Sequence, residues 1–295
     1  MNFAAVAKRR LLGASLVALG ALSGARGADL ATDAPPRFTR VSLAPALVSV
    51  PVDPAGLGTG AAFTLWLHLH GAPNVVEAQF TASGARGVLV NVTLPGLSKI
   101  YADHFADDTR FAALLAATTD AVQRTHPLPA RRLARVVVSS FSAGFGGVRQ
   151  LLRQPAALAR IDALVMADSI YCGYTGDPAR RQVDPDLMAG FLRFAREAAE
   201  GRKQFVLSHS RQVPDGYAST TETADYLLSQ LDLARASAAT ETWPGGLRPL
   251  THARRGGFLV LGFDGEAPDD HMNHLRQLGA LLARLTAPAS TPTPR

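Results

Sequence analysis

Short apolar runs alternate with amphipathic stretches along most of the chain. The apolar runs are rich in β-branched residues and end at turn residues, which predicts strands at residues 61–70, 87–92, 135–139, 161–167, 204–207 and 258–263. Apolar positions at helical spacing predict helices at residues 107–125, 187–199, 221–231 and 269–285. Strands that alternate with helices are typical of an α/β fold with a mainly parallel central sheet and helices on both faces.

Other stretches fit less directly into this alternation. Residues 38–52 contain alternating apolar positions and predict edge strands. Residues 171–200 and 232–256 are the candidate insertions over one edge of the sheet, and the helix at 187–199 is interpreted as part of a cap or as a crossover. Residues 286–295, made of Pro, Ser, Thr and Ala with a final Arg, predict a disordered tail.

The first 27 residues have the pattern of an export signal. Three basic residues at 8–10 precede an apolar run at 11–23, and the small residues Ala25 and Gly27 favour cleavage before Ala28. The arginine pair also resembles a twin-arginine signal. We therefore expect residues 28–285 to form the functional domain, in the periplasm or outside the cell. An uncleaved membrane anchor is the alternative.

Removal of this segment changes the charge of the protein. The whole chain carries a net charge of +6, but residues 1–27 hold four basic residues and no acidic ones, which leaves 26 basic and 24 acidic residues. A nearly neutral remainder argues against nucleic-acid binding, and no stable membrane span is expected after processing. The single cysteine, Cys172, excludes an internal disulfide and is interpreted as a small buried residue.

A strand ends at a serine in residues 136–147. Three valines are followed by a small-x-Ser-x-small pattern in which Ser140 and Gly144 flank Ser142, and a helical pattern begins directly afterwards. A serine on a sharp strand-to-helix turn is exposed as a nucleophile, and the strained turn needs small neighbours. This favours Ser142 as the nucleophile. Ser140 as the nucleophile would place Val138 and Ser142 at the flanking positions, which fits less well.

A serine hydroxyl needs a histidine to take its proton and a carboxylate to orient that histidine. Asp168 follows the apolar strand at 161–167, at the sheet edge where functional groups gather. The next strand is followed by no carboxylate before Asp215, so Asp168 is preferred and Glu222 is the alternate. His209, after that strand, is interpreted as a structural residue.

Two histidines compete for the role of general base. His271 lies four residues before Leu275, on the apolar stripe of the last predicted helix, and we expect it to face the sheet. His274 is predicted to be rotated away from that stripe and is the alternate. The stripe consists of Leu275, Leu278, Leu282 and Leu285.

The strand at 61–70 ends in His70 and Gly71. A turn at this point could present the backbone N–H of Ala72, which with the N–H of Ala143 would form an oxyanion hole. His68 and His70 could instead be two metal ligands on one strand, but no third ligand follows at a recognisable spacing, so no metal is expected.

Together these features resemble the α/β-hydrolase superfamily, over residues 61–285. The resemblance is carried by Ser140-Phe-Ser142-Ala-Gly144, by His70-Gly71 and by the last strand followed by His271. Residues 168–171 and 217–223 are similar to motifs of an exported bacterial branch that is esterase- or lipase-like. The chain departs from the superfamily pattern in having Ser140 where glycine is usual and in lacking the usual acid.

The resemblance implies a serine hydrolase that needs no cofactor. The expected substrate is a small-molecule or polymeric ester, with an amide as second choice. The alternative is a hydrolase-fold protein without catalytic activity that acts as a binding module.

Overall fold

A ten-stranded mixed sheet forms the centre of the protein. The computed structural model describes residues 37–58, 60–127, 129–238 and 240–286. The predicted signal segment at 1–27 and residues 287–295 of the predicted tail lie outside them. The strands are β1 (Phe38–Leu43), β2 (Ala46–Pro51), β3 (Ala62–Leu69), β4 (Val88–Val92), β5 (Arg132–Phe141), β6 (Ala163–Ala167), β7 (Gln204–His209), β8 (Ala236–Ser237), β9 (Pro249–Arg255) and β10 (Phe258–Phe263).

The strand order is β1-β2-β4-β3-β5-β6-β7-β10-β9-β8. The six central strands are parallel to one another and lie in the order β4, β3, β5, β6, β7, β10. Antiparallel strands extend the sheet at both ends, β2 and β1 beside β4, and β9 and β8 beside β10. Because the central strands are parallel, the loops that follow β3, β5, β6, β7 and β10 meet at one edge of the sheet.

Helices cover both faces of the sheet. They are α1 (Pro73–Ala82), α2 (Ser98–His104), α3 (Thr109–Thr125), α4 (Phe145–Arg153), α5 (Pro155–Arg160), α6 (Pro185–Ala199), α7 (Thr220–Gln230), α8 (Pro268–Arg276) and α9 (Leu278–Thr286). Two apolar cores result: α2 to α7 contribute to one, and α1, α8 and α9 contribute to the other. The predicted α/β fold with a mainly parallel central sheet and helices on both faces is confirmed.

Two predicted elements differ from those observed. The helix predicted at 269–285 is two helices, because Gln277 leaves the helical conformation (φ −118°, ψ 20°). The predicted insertion at 232–256 includes β8 and β9, which extend the sheet beyond β10.

The helix predicted at 187–199 is α6, which packs on α4, α7 and β10 and is therefore a crossover between β6 and β7. Within the described ranges no helix is long and apolar enough to cross a membrane.

Candidate active site

Ser142 lies on a strained turn between β5 and α4. Its φ is +45°, which is rare for a residue with a side chain, and such strain is concentrated at functional sites. A short 3-10 turn over Ser142–Gly144 leads directly into α4. Ser140, by contrast, lies within β5 and is fully buried. The structure therefore places Ser142, and not Ser140, at the point where the strand turns.

The turn and the start of α4 require glycine at positions 144 and 146. A Cβ atom on Gly144 would lie 2.3 Å from the carbonyl oxygen of Leu69 and 2.9 Å from the Cβ of Ser140. A Cβ atom on Gly146 would lie 2.0 Å from the carbonyl oxygen of Ser98. The turn thus fits closely against the end of β3 and the start of α2.

Ser169 connects this turn to the loop that follows β6. Its hydroxyl donates to the carbonyl oxygen of Ser142 at 2.8 Å, and it lies 2.7 Å from the hydroxyl of Ser140. Ser169 directly follows Asp168. The turn that carries Ser142 and the loop that carries Asp168 are therefore held together by a buried hydroxyl pair.

Asp168 is fully buried and hydrogen-bonded through both carboxylate oxygens. Oδ2 accepts a hydrogen bond from Nδ1 of His271 at 2.7 Å, and Oδ1 accepts from the backbone N–H of Ser210 at 2.9 Å and from the hydroxyl of Thr220. Burial opposes its ionisation, but the charge interactions with His274 and His271 and the hydrogen bonds from His271 and Thr220 outweigh it. The pKa of Asp168 consequently lies below its usual value, and the residue is a carboxylate at neutral pH.

The Asp168 carboxylate fixes the tautomer of His271. A carboxylate only accepts hydrogen bonds, so the proton of a neutral His271 is on Nδ1 and Nε2 is free to take another. The His271 side chain is 15% exposed. Its ring stacks on Phe141, the residue before Ser142, at a centroid distance of 4.5 Å and an angle of 28°. The hydroxyl of Ser142 and the imidazole of His271 are not hydrogen-bonded to each other in the described chain.

His274 also faces inward, and the expectation that it turns away from the sheet is wrong. It is fully buried, and its Nδ1 lies 2.8 Å from the hydroxyl of Ser208. That hydroxyl in turn lies 3.3 Å from the backbone N–H of Asp168. Because the leucine stripe is divided between α8 and α9, the inward face of α8 is set by His274 and Leu275 rather than by the whole stripe. Burial lowers the pKa of His274, and the nearby carboxylate of Asp168 opposes that shift.

Glu222, the alternate acid, caps the start of a helix and forms an ion pair, and so has a structural role. It closes the capping box at the start of α7 with Ser219, and its carboxylate pairs with Arg181 at 2.7 Å. Tyr174 donates to the same carboxylate. Asp168, and not Glu222, is the carboxylate that contacts His271.

The turn after β3 is held by two side-chain hydrogen bonds to its backbone. The carbonyl oxygen of Gly71 accepts hydrogen bonds from the side chains of Asn91 and Thr93, at 3.1 and 2.6 Å. A Cβ atom on Gly71 would lie 2.8 Å from Val76 of α1. Ala72 is the exposed N-cap residue of α1. Ala143 is the second residue of the 3-10 turn that begins at Ser142, so its N–H is one of those that a helix start leaves without an intrahelical partner.

The other candidate residues are accounted for by packing and hydrogen bonds. Nδ1 of His68 lies 2.9 Å from the hydroxyl of Ser139, and burial lowers the pKa of His68 to about 3. His209 is paired with Thr221 and Arg235, each at 2.9 Å, and burial lowers its pKa to about 4. Cys172 is buried with a free thiol.

The sequence analysis did not predict a role for several residues that contribute hydrogen bonds at this site. They are the hydrogen-bonding residues Ser169, Ser208, Ser210, Thr220 and the aromatic Tyr101. Ser208 lies within the last two residues of β7, Ser210 directly follows β7, and Ser169 is the second residue after β6, so their position in the sequence was an available signal. Thr220 lies in the segment 217–223 that resembles a family motif, but no sequence pattern indicates that it reaches Asp168 from 52 residues away.

Comparison with known proteins gives little similarity in sequence. No protein-family model and no curated protein matches the chain. The structure is similar to S-formylglutathione hydrolase (FrmB) from Staphylococcus aureus, with 13% identity over 81% of this chain and 89% of that chain, at a TM-score of 0.42. It also matches the histone deacetylase Clr3, with 8% identity over 63% of this chain and 34% of that chain, at a TM-score of 0.26. The description of the fold rests on the sheet order, which places the strained serine after a central strand and the Asp168–His271 pair at the same edge.

Proposed function

We propose that the protein is a serine hydrolase that cleaves esters, with Ser142, His271 and Asp168 as the catalytic residues. The observation that supports this most strongly is the buried Asp168–His271 hydrogen bond of 2.7 Å beside a serine held at φ +45°. A buried carboxylate that orients a histidine next to a serine on a strained turn is the arrangement that activates a serine hydroxyl.

In the proposed reaction, Nε2 of His271 takes the proton of the Ser142 hydroxyl while Oγ attacks the ester carbonyl carbon. The negative charge that develops on the carbonyl oxygen is stabilised by the backbone N–H groups of Ala143 and Ala72. Collapse of the tetrahedral intermediate breaks the bond to the alcohol, which leaves with the proton from His271. Water then attacks the acyl-serine with the same histidine as base, and the carboxylic acid is released with Ser142 restored.

Asp168 supports both steps without taking a proton. Its carboxylate holds His271 in the Nδ1–H tautomer and stabilises the imidazolium that forms in each step. The contact between Ser142 and His271 closes when substrate binds, since catalytic hydrogen bonds are often long in the free enzyme. We propose an ester before an amide because an alcohol leaves more readily than an amine.

Hydrolysis of a short p-nitrophenyl ester tests the proposal. Ser142→Ala removes the nucleophile and lowers kcat by at least about 10³-fold, while the melting temperature stays close to that of the wild-type protein. Thr119→Ala, in the outer helix α3, is the control and leaves kcat unchanged. Wild-type protein with no activity above buffer would favour a hydrolase-fold binding module instead. Activity that survives in Ser142→Ala would contradict the assignment of the nucleophile.

We also propose that the protein is exported and that the mature chain begins near Ala28. The basic residues at 8–10, the apolar run at 11–23 and the small residues before Ala28 support this. Mass spectrometry of the native protein is the check, and peptides from residues 1–20 are expected to be missing. Abundant intact Met1 in a membrane fraction would show that the segment is an anchor.

A further inference from the structure

His70 is an unused histidine at the edge of the proposed active site. It follows β3 with a φ of +71°, a conformation that is uncommon for residues other than glycine and costs energy. It directly precedes Gly71 and Ala72, the turn assigned to the oxyanion hole. The proposed triad gives no reason for holding a histidine in this conformation.

The hydroxyl of the buried Tyr101 contacts one ring nitrogen of His70, Nδ1. The Tyr101 hydroxyl accepts a hydrogen bond from the backbone N–H of Leu94 at 2.9 Å. Its own proton can go to Nδ1 of His70 at 3.0 Å or to the carbonyl oxygen of Leu94 at 3.3 Å. The shorter contact is to His70, which favours Nδ1 as the acceptor and places the proton of neutral His70 on Nε2.

The surroundings keep His70 neutral. Its ring stacks on Phe141 at 6.2 Å and 23°, and the same Phe141 ring stacks on His271. Burial lowers the pKa of His70, and the charge of a protonated His271 lowers it further. His70 therefore stays a neutral donor while His271 becomes an imidazolium during the reaction.

Nε2 of His70 is available to a ligand. In the described chain it has no hydrogen-bond partner, and it is not sealed from solvent. The two nitrogens of an imidazole point in divergent directions. Because Nδ1 is held towards the buried Tyr101, Nε2 points away from that side chain, and the ring itself stacks on Phe141, the residue before Ser142.

We propose that Nε2–H of His70 donates a hydrogen bond to the acyl oxygen of the substrate, as a side-chain member of the oxyanion hole. The inference rests on the proposed serine hydrolase activity and adds a third donor to the N–H groups of Ala143 and Ala72. A donor held in one tautomer by Tyr101 stabilises the oxyanion without any change of its own protonation. The carbonyl oxygen gains its full charge only near the transition state, so the contribution falls mainly on kcat.

Two substitutions separate this role from a structural one. His70→Asn places an amide near the position of Nδ1, tolerates positive φ and can still meet Tyr101, but it has no donor at the position of Nε2. His70→Gln can place an amide N–H near that position. His126→Asn is the control for the same change of residue type at another histidine. Nε2 of His126 is already paired with the carbonyl oxygen of Pro51 at the end of β2, so it is not a donor available to the substrate.

With the p-nitrophenyl ester, we expect His70→Asn to lower kcat by about 10- to 100-fold and to leave KM within about twofold. The affinity for a trifluoromethyl ketone, which forms an oxyanion on Ser142, falls by a similar factor. His70→Gln recovers part of both losses, and the melting temperature of each variant stays near that of the wild-type protein.

Full kcat in His70→Asn, with activity that still depends on Ser142, would overturn the inference and leave the proposed function standing. A loss of kcat that follows a loss of melting temperature, with no recovery in His70→Gln, would show a structural role only. A wild-type protein without Ser142-dependent hydrolysis would overturn both.

Discussion

Asp168 is the residue whose chemistry is most constrained by its surroundings. It has no exposed surface, a φ of +44° and hydrogen bonds to both oxygens. Asp168→Asn keeps the shape but leaves an amide that can donate to His271 and favour the wrong tautomer. We expect kcat for ester hydrolysis to fall by about 10⁴-fold.

Glu222→Gln is the matched control for that change, because both substitutions remove a carboxylate after β6 or β7. Glutamine still completes a capping box, and the lost pair with Arg181 is partly exposed, so stability should change by no more than about 1 kcal/mol. Activity should stay within a few-fold of wild type. The reverse ranking of the two variants would move the acid to α7.

At the level of single residues, the sequence located the polar groups that follow strands but not their mutual contacts. Ser142, Asp168 and His271 could be proposed because parallel strands bring their carboxyl ends to one edge. The facing of His274 was misjudged because the stripe of leucines crosses a helix break at Gln277, a residue type that does not itself indicate a break. The pairing of His70 with Tyr101 joins a strand end to a helix 31 residues later and has no local signal.

The turn between β5 and α4 is the element on which the site depends. Gly146 allows α4 to approach α2, and a Cβ there meets backbone rather than a flexible side chain. Gly146→Ala must therefore shift α4, with a destabilisation of about 1–3 kcal/mol and a loss of activity through displacement of Ser142. Chemical unfolding together with the ester assay measures both effects.

Gly173→Ala controls for the loss of a glycine as such. Gly173 is outside the positive-φ region, and a Cβ there would lie 3.4 Å from the nearest atom, a flexible carbon of Leu187. Stability should therefore stay within about 0.5 kcal/mol of wild type. Equal effects of the two substitutions would show that close packing of α4 is not what positions the turn.

Elements with a clear period were predicted and those without one were missed. The buried runs of β3, β5, β6, β7 and β10 are apolar enough to be recognised. β9 has one buried residue among seven and therefore no strand pattern. α1 begins with Pro73 and buries only Val76 and Phe80, which is too few for a helical period to show.

Across the whole molecule, buried neutral histidines make stability depend on pH. Burial lowers the pKa of His68 to about 3 and that of His209 to about 4, against about 6.5 in an unfolded chain. Between these values the unfolded chain binds more protons than the folded one, so stability is full above pH 6.5 and is lost as the pH falls. Asp168, with its lowered pKa, adds a further loss only below about pH 4.

We therefore expect the free energy of unfolding to fall by about 2 kcal/mol for each of these histidines between pH 7 and pH 5. Urea unfolding at four pH values measures this slope. The slope measures how many protons the chain takes up on unfolding. In His209→Gln this number should fall by about one, because glutamine does not titrate. A stability that is constant from pH 7 to pH 5 would show that these histidines are not held neutral in the folded protein.

Labelling with a fluorophosphonate shows whether Ser142 is an activated nucleophile. Attack by Ser142 Oγ on phosphorus expels fluoride and leaves one stable adduct per chain, which intact mass and peptide mapping locate. We predict a single adduct on Ser142 in the wild-type protein and none in His271→Ala or after heat denaturation. The absence of an adduct on the folded wild-type protein, or an adduct on Ser140 in place of Ser142, would contradict the account.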